Sequence, residues 1–118
     1  VELWDNMLIG NIPTTIGGME SLTNLYLDGN DLSGTIPSQI GSLSNLKDFA
    51  IHENSLIGPI PTEMVNLDSL WRFWAGGNKF SGAFPNSILG MDSLEALYLD
   101  NNQFVGSLPA AIASRLPM

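Results

Sequence analysis

Residues 22–45 read LTNLYLDGNDLSGTIPSQIGSLSN. Leu25 and Leu27 alternate with polar neighbours. Asn30 follows, and Gly34, Ile36-Pro37, Ile40-Gly41 and Leu43 come after it at fixed offsets. The order recurs along the whole chain. Asn6, Asn30, Asn54, Asn78 and Asn102 lie 24 residues apart. Gly10, Gly34, Gly58, Gly82 and Gly106 keep the same interval, as do Pro13, Pro37, Pro61, Pro85 and Pro109. Three residue types holding one period through five copies exclude chance, and no linker interrupts the frame.

Each copy has a physical reading. The alternation at Leu25 and Leu27 is that of a short strand with one face buried. Asn30 stands where the chain must turn inward, and its amide can bond backbone groups that a turn would orphan. Gly34 permits backbone geometry that other residues resist. Pro37 fixes φ and removes a donor. The stretch PSQIGSL, residues 37–43, then predicts a 3₁₀ or short helical return with Ile40 and Leu43 inward. One such turn cannot bury its own apolar face, but stacked turns can, because each covers the next. The expected architecture is therefore a solenoid. It has a parallel sheet on its inner side, a column of Leu and Ile inside, and a structural ladder of Asn6, Asn30, Asn54, Asn78 and Asn102. Residues 1–118 form one domain, with repeats at about 1–21, 22–45, 46–69, 70–93 and 94–118.

The pattern LxxLxLxxNxLxGxIPxxIGxLxx resembles the leucine-rich repeat family in its plant-specific subtype, over essentially the whole chain. The resemblance implies a right-handed solenoid of five 24-residue repeats. Its parallel β-sheet would lie on the concave face, with a 3₁₀, short helical or irregular convex side. A second short sheet on one flank would come from the LxGxIP segment. The resemblance also implies an extracellular or cell-surface setting, as part of a receptor-like ectodomain in signal perception. A secreted or cell-wall-associated adhesion repeat and an enzyme-inhibitor module are its alternatives. The family's usual caps, often with Cys pairs, are missing, so a piece of a longer array is expected. In the fourth copy Phe84-Pro85 replaces Ile-Pro and Leu89 stands where Gly41 stands. In the fifth, Arg115 stands where Leu43 and Leu67 stand, which reads either as a fraying end or as a polar turn shielding the last rung.

Composition narrows the function. Formal net charge is −8, with 4 Lys or Arg against 12 Asp or Glu. That balance argues against nucleic acid, where phosphate neutralisation supplies most of the binding energy, and against anionic membrane surfaces. No apolar run approaches the roughly 20 residues of a membrane span, so this segment is not expected to insert directly. The chain has no Cys, which excludes disulfides and a thiolate nucleophile. His52 is the only His, so a His-based triad would depend wholly on it. No HExxH, GxxxxGKS/T or DxDxDG-like spacing occurs. No enzymatic activity, cofactor or metal site is expected.

The informative positions are those the repeat does not dictate. Side chains alternate across a strand, so residues beside the inward Leu pair face the concave surface. Glu2, Tyr26, Ala50, Trp74 and Tyr98 form one column, and Trp4, Asp28, His52, Gly76 and Asp100 the next. Lys47, Trp71 and Glu95 lie on the other edge, beside Asp48 and Arg72. Trp71, Trp74 and Tyr98 are expected to cluster as anchors, with Gly76 and Gly77 as open floor and Arg72 and Lys47 at the rim. Trp, Tyr and Arg are common hot-spot residues. The expected ligand-binding set is Trp71, Trp74, Tyr98, Tyr26, Arg72, Lys47, His52, Asp28 and Asp100, for a protein or peptide ligand, with a glycan as the alternative. Seven of the acids also fall on this face: Glu2, Asp5, Asp28, Asp48, Glu53, Glu95 and Asp100. They read either as a pocket for a basic ligand or as a solvated face that blocks edge aggregation.

Overall fold

The computed structural model describes residues 1–83, 88 and 90–106. The readings made above at Phe84, Pro85, Leu89, Pro109 and Arg115 fall outside these residues. Along the described chain run nine short strands: β1 (Ile9–Asn11), β2 (Asn24–Tyr26), β3 (Asp31–Ser33), β4 (Asp48–Ala50), β5 (Ile57–Gly58), β6 (Arg72–Trp74), β7 (Lys79–Ala83), β8 (Ala96–Tyr98) and β9 (Gln103–Val105). The even-numbered strands β2, β4, β6 and β8 make one parallel sheet in chain order. This is the concave face. Its register puts Leu25, Phe49, Phe73 and Leu97 side by side, so residues 24 apart become direct neighbours. Glu2 extends the sheet by one bridge to Tyr26.

The inward row forms the core. Leu25, Phe49, Phe73 and Leu97 are all buried, and the rings of Phe49 and Phe73 stack 5.3 Å apart. Two aromatic residues at a Leu position keep the column filled from rung to rung, as close packing requires. The expected second sheet is present on the flank, with parallel orders β1-β3 and β5-β7-β9. The convex side carries 3₁₀ helices at Thr14–Gly18, Ser38–Ser42 and Thr62–Asn66. Each follows a proline, Pro13, Pro37 or Pro61, in extended geometry, and each buries one apolar side chain: Ile16, Ile40 or Met64. The fold is thus a leucine-rich-repeat solenoid with one face of parallel strands open to solvent.

The Asn ladder links the rungs. Asn54 accepts the Leu32 amide through Oδ1 at 2.9 Å and donates from Nδ2 to the Leu27 carbonyl of the preceding rung at 3.0 Å. Asn78 and Asn102 repeat the arrangement one and two rungs on. Asn30 accepts from the amides of Asn6 and Leu8, and Asn6 donates to the Leu3 carbonyl. The residue before each Asn takes a left-handed backbone: Asp5, Gly29, Glu53, Gly77 and Asn101 have φ of 50°, 66°, 54°, 65° and 55°. Gly77 therefore serves the turn, because this conformation costs an L side chain about 1–2 kcal/mol.

Candidate functional site

Register alone sets the rows of the concave sheet: Tyr26, Ala50, Trp74 and Tyr98 are consecutive neighbours. Ala50 is the small member, standing between Tyr26 and Trp74. The result is a shallow cleft of about 450 Å³. Tyr26, Trp74 and the exposed Trp4 line it, with Asp28 and His52 beside them and Asp48 and Arg72 at its base. A smaller cleft of about 220 Å³ continues past Trp74, lined also by His52, Glu53, Gly76, Tyr98 and Asp100.

Asp48 is the electrostatic centre of the larger cleft. It is only 4% exposed. Its Oδ2 accepts from the Tyr26 hydroxyl at 2.8 Å and from the Arg72 guanidinium, and its Oδ1 accepts from the Trp74 indole N–H at 3.1 Å. Burying a carboxylate is costly unless it is paired and hydrogen-bonded, and these three donors meet that demand. The same bond acts on Tyr26: hydrogen bonding to Asp48, with burial behind it, raises the phenol above its ordinary value. Arg72 also lies over the rings of Trp71, 4.5 Å from the centroid, and Trp74, at 5.8 Å. Trp71 in turn donates its indole N–H to Glu95 at 2.6 Å.

The aromatic residues are organised differently from the sequence-based expectation. Trp74 and Tyr98 do stack, with centroids 4.4 Å apart. Trp71 joins them through the guanidinium of Arg72. Arg72 is therefore a central strut and not a rim residue, because Asp48 one rung away draws it inward. Lys47 is exposed at the sheet edge and lines neither cleft. The expectation of an open floor at Gly76 and Gly77 also fails. A Cβ on Gly76 would lie 2.6 Å from Oδ1 of Asp100, and one on Gly77 would lie 2.5 Å from Oε1 of Glu53. Acidic side chains from adjoining rungs fold over both glycines.

His52 is less exposed than an ordinary surface residue. Its Nε2 lies 3.4 Å from Asp28 Oδ2, its Nδ1 is shut off from solvent, and its ring is tilted against Trp74 at 6.1 Å. The expected ligand-binding set lacks Asp48, although an Asp and an Arg at one repeat position, one rung apart, signal a cross-strand pair. The set also lacks Trp4, although Trp4 shares a column with Asp28 and His52. Among the described residues no group of three or more His, Asp or Glu is arranged to hold a metal ion. No helix among them is long and apolar enough to cross a membrane.

A solenoid with parallel concave strands, an Asn ladder and an aromatic, acid-lined cleft defines a repeat protein with an open recognition face. Comparison with known proteins points to leucine-rich repeats. The Leucine Rich Repeat model matches residues 21–43 and 93–114. The repeats match that model in part, and the similar solved structures include leucine-rich-repeat ectodomains of plant receptor kinases. It is similar to the plant peptide hormone receptor RGFR1 in complex with RGF2, at 36% identity and a TM-score of 0.93, over 98% of this chain and 18% of that one. It is similar to the ectodomain of the Arabidopsis receptor kinase HAESA in complex with an N-terminally extended IDA peptide hormone ligand, at 37% identity and a TM-score of 0.92, over 98% and 19%. A plant ice-binding protein is also similar, at 29% identity and a TM-score of 0.90, over 98% and 38%. The chain spans a fifth or less of the two receptor ectodomains. No curated protein matches it significantly.

Proposed function

We propose that this chain is a peptide-recognition segment of a receptor-type ectodomain, working outside the cell by binding and not by catalysis. The cleft between Tyr26 and Trp74 carries the reading. A concave sheet presents it, Ala50 opens it, and Trp4, Tyr26 and Trp74 offer amphipathic surface of the kind that anchors peptide ligands. The similar receptor ectodomains, two of them in complex with peptide ligands, support the same reading. The anchors in this proposal are Trp4, Tyr26, Trp74 and Tyr98, with Asp28, His52 and Asp100 as polar contacts. Trp71 and Arg72 hold the base of the site, and Lys47 lies outside it.

The test is a binding screen of the chain against peptide and glycan arrays, beside a Trp74→Ala variant checked for fold by circular dichroism. Peptide hits that the variant loses support the proposal. Hits confined to glycans, or retained by the variant, refute it.

One observation favours adhesion through the flank as a second reading. Residues 9, 33, 57, 81 and 105 are Ile, Ser, Ile, Ser and Val, and Ile9, Ile57 and Val105 are exposed on the flank sheet. They follow a diagonal across the flank, since register sets Ile9 beside Asp31 and Ile57 beside Lys79, and an exposed apolar line of this kind suits an extended surface. Retention of glycan hits in Trp74→Ala, with their loss in Ile57→Lys, would establish it.

A further inference from the structure

Charge on the concave face is strongly one-sided. Glu2, Asp5, Asp28, Asp48, Glu53, Glu95 and Asp100 lie on it, against Lys47 and Arg72. Among the described residues Arg72–Asp48 is the one pair between a Lys or Arg and a carboxylate, so Arg72 neutralises the acid at the base of the cleft and leaves the others. Asp28 faces His52, with Nε2 at 3.4 Å, and no Lys or Arg. Asp100 accepts from the Asn101 side-chain amide at 3.3 Å and has no cation. Solvated surface acids are common, but these flank two connected clefts. Asp28 lines the larger, Asp100 and Glu53 line the smaller, and Trp74 and His52 line both.

The walls suit the stems and heads of basic side chains. Tyr26 and Trp74 stand two rungs apart, about 10 Å at ordinary strand spacing. A chain or planar group in contact with both faces needs about 7–8 Å. The aromatic surface already holds one guanidinium, since Arg72 lies over Trp71 and Trp74. A second cation in the open cleft would gain the same ring attraction and face Asp28.

Asp28 and Asp100 are three rungs apart in one column, about 14 Å. In an extended peptide, side chains four residues apart project to the same side at about 13.6 Å. The residue midway between them would lie over Trp74. Resting on the peptide-binding reading above, we propose that the concave clefts select an extended peptide with two basic side chains at positions i and i+4 and an apolar one at i+2. Asp28 takes one cation, Asp100 with Glu53 takes the other, and Trp74 takes the apolar residue.

The test uses acetylated, amidated nine-residue serine peptides with a central Leu and Lys two positions to either side. Controls carry Glu for Lys, carry both Lys adjacent to one another, or keep only the Leu. Binding to the 118-residue chain is followed by NMR shifts up to millimolar peptide. The spaced dibasic peptide should bind at least tenfold tighter than the acidic one and clearly tighter than the adjacent-Lys one. Its binding should weaken with salt, as exposed charge contacts do. Asp28→Asn should weaken it about threefold and Asp28→Asn/Asp100→Asn about tenfold, in line with modest exposed ion pairs. Both variants should keep the native circular dichroism. Binding that ignores peptide charge but disappears in Trp74→Ala would overturn the dibasic rule and leave the peptide-binding reading standing. Dibasic binding unaffected by the double Asn variant would also overturn the rule. Failure of every peptide, the four probes and any array hit alike, would overturn both.

Discussion

Asn78 accepts the Leu56 amide through Oδ1 at 3.0 Å, from a side chain that is itself buried. Its Nδ2 donates to the carbonyls of Ile51, Ala75 and Gly76 at 2.9, 3.2 and 3.3 Å. One amide thus satisfies groups on two rungs where water does not reach. Asn78→Ala would orphan them and should cost about 1–3 kcal/mol. Asn6 makes similar contacts at the exposed first rung, where water can replace it, so Asn6→Ala should cost clearly less. Urea midpoints of the two variants check the contrast. Equal losses would show that burial does not set the ladder's strength.

The ladder, the period and the alternation of strand and return were legible in the sequence because each is a backbone demand repeated at every rung. Asn, Gly and Pro answer such demands by residue type, so their spacing reports the fold directly. The columns of the concave face were legible too, because register follows from the period. What the columns could not give was side-chain direction. Nothing in the spacing of Gly76 and Asp100 says that the carboxylate folds over the glycine. Nothing in the position of Arg72 shows it turning inward to Asp48. Those outcomes depend on rotamers chosen among several neighbours, and the repeat constrains none of them. Trp71 illustrates the limit: its column was right, but its bond to Glu95 turns on a rotamer.

Gly41 tests the spacing between rungs. A Cβ there would lie 2.6 Å from the Glu63 carbonyl oxygen and 3.0 Å from the Glu63 Cβ, so backbone would have to move. Gly18, on the same convex side, has nothing within 4 Å of its added Cβ. Gly41→Ala should therefore destabilise the chain by about 1–3 kcal/mol, as overpacking does. Gly18→Ala should be near neutral. Thermal melts of both variants decide it, and equal melting temperatures would mean that the rungs can separate at no cost.

Tyr26 should make stability depend on pH in the alkaline range. Its hydroxyl donates to Asp48, and that bond, followed by burial, raises its pKa in the folded chain above the ordinary 10.0. The protonated phenol is the form the fold favours. Its contribution is therefore fully present below pH 10, where the unfolded chain also keeps the proton. It is lost as pH rises through the folded value. Removing the hydroxyl in Tyr26→Phe should cost about 1 kcal/mol near neutrality. The stability gap between the native chain and Tyr26→Phe should hold steady up to about pH 10 and narrow above it. Denaturant titrations at stepped pH measure that gap, and a gap that stays constant through the alkaline range would contradict the assignment.

Asp48 gathers three donors from the two rungs that flank its own, so removing it should disturb more than one contact. In Asp48→Ala the Tyr26 hydroxyl, the Trp74 indole and the Arg72 guanidinium all lose their acceptor. The Arg72 side chain is 36% exposed, so solvent offsets part of its loss. A net cost of about 1–2 kcal/mol follows. Arg72→Met in the same background removes the stranded cation and keeps a stem to pack on Trp71 and Trp74. The double variant should therefore be more stable than Asp48→Ala alone, because an unpaired charge near the interior is worse than none. A double-mutant cycle by chemical denaturation measures the coupling. Strict additivity of the two losses would show that Asp48 and Arg72 are neighbours without being partners, and the base of the cleft would then rest on the aromatic contacts.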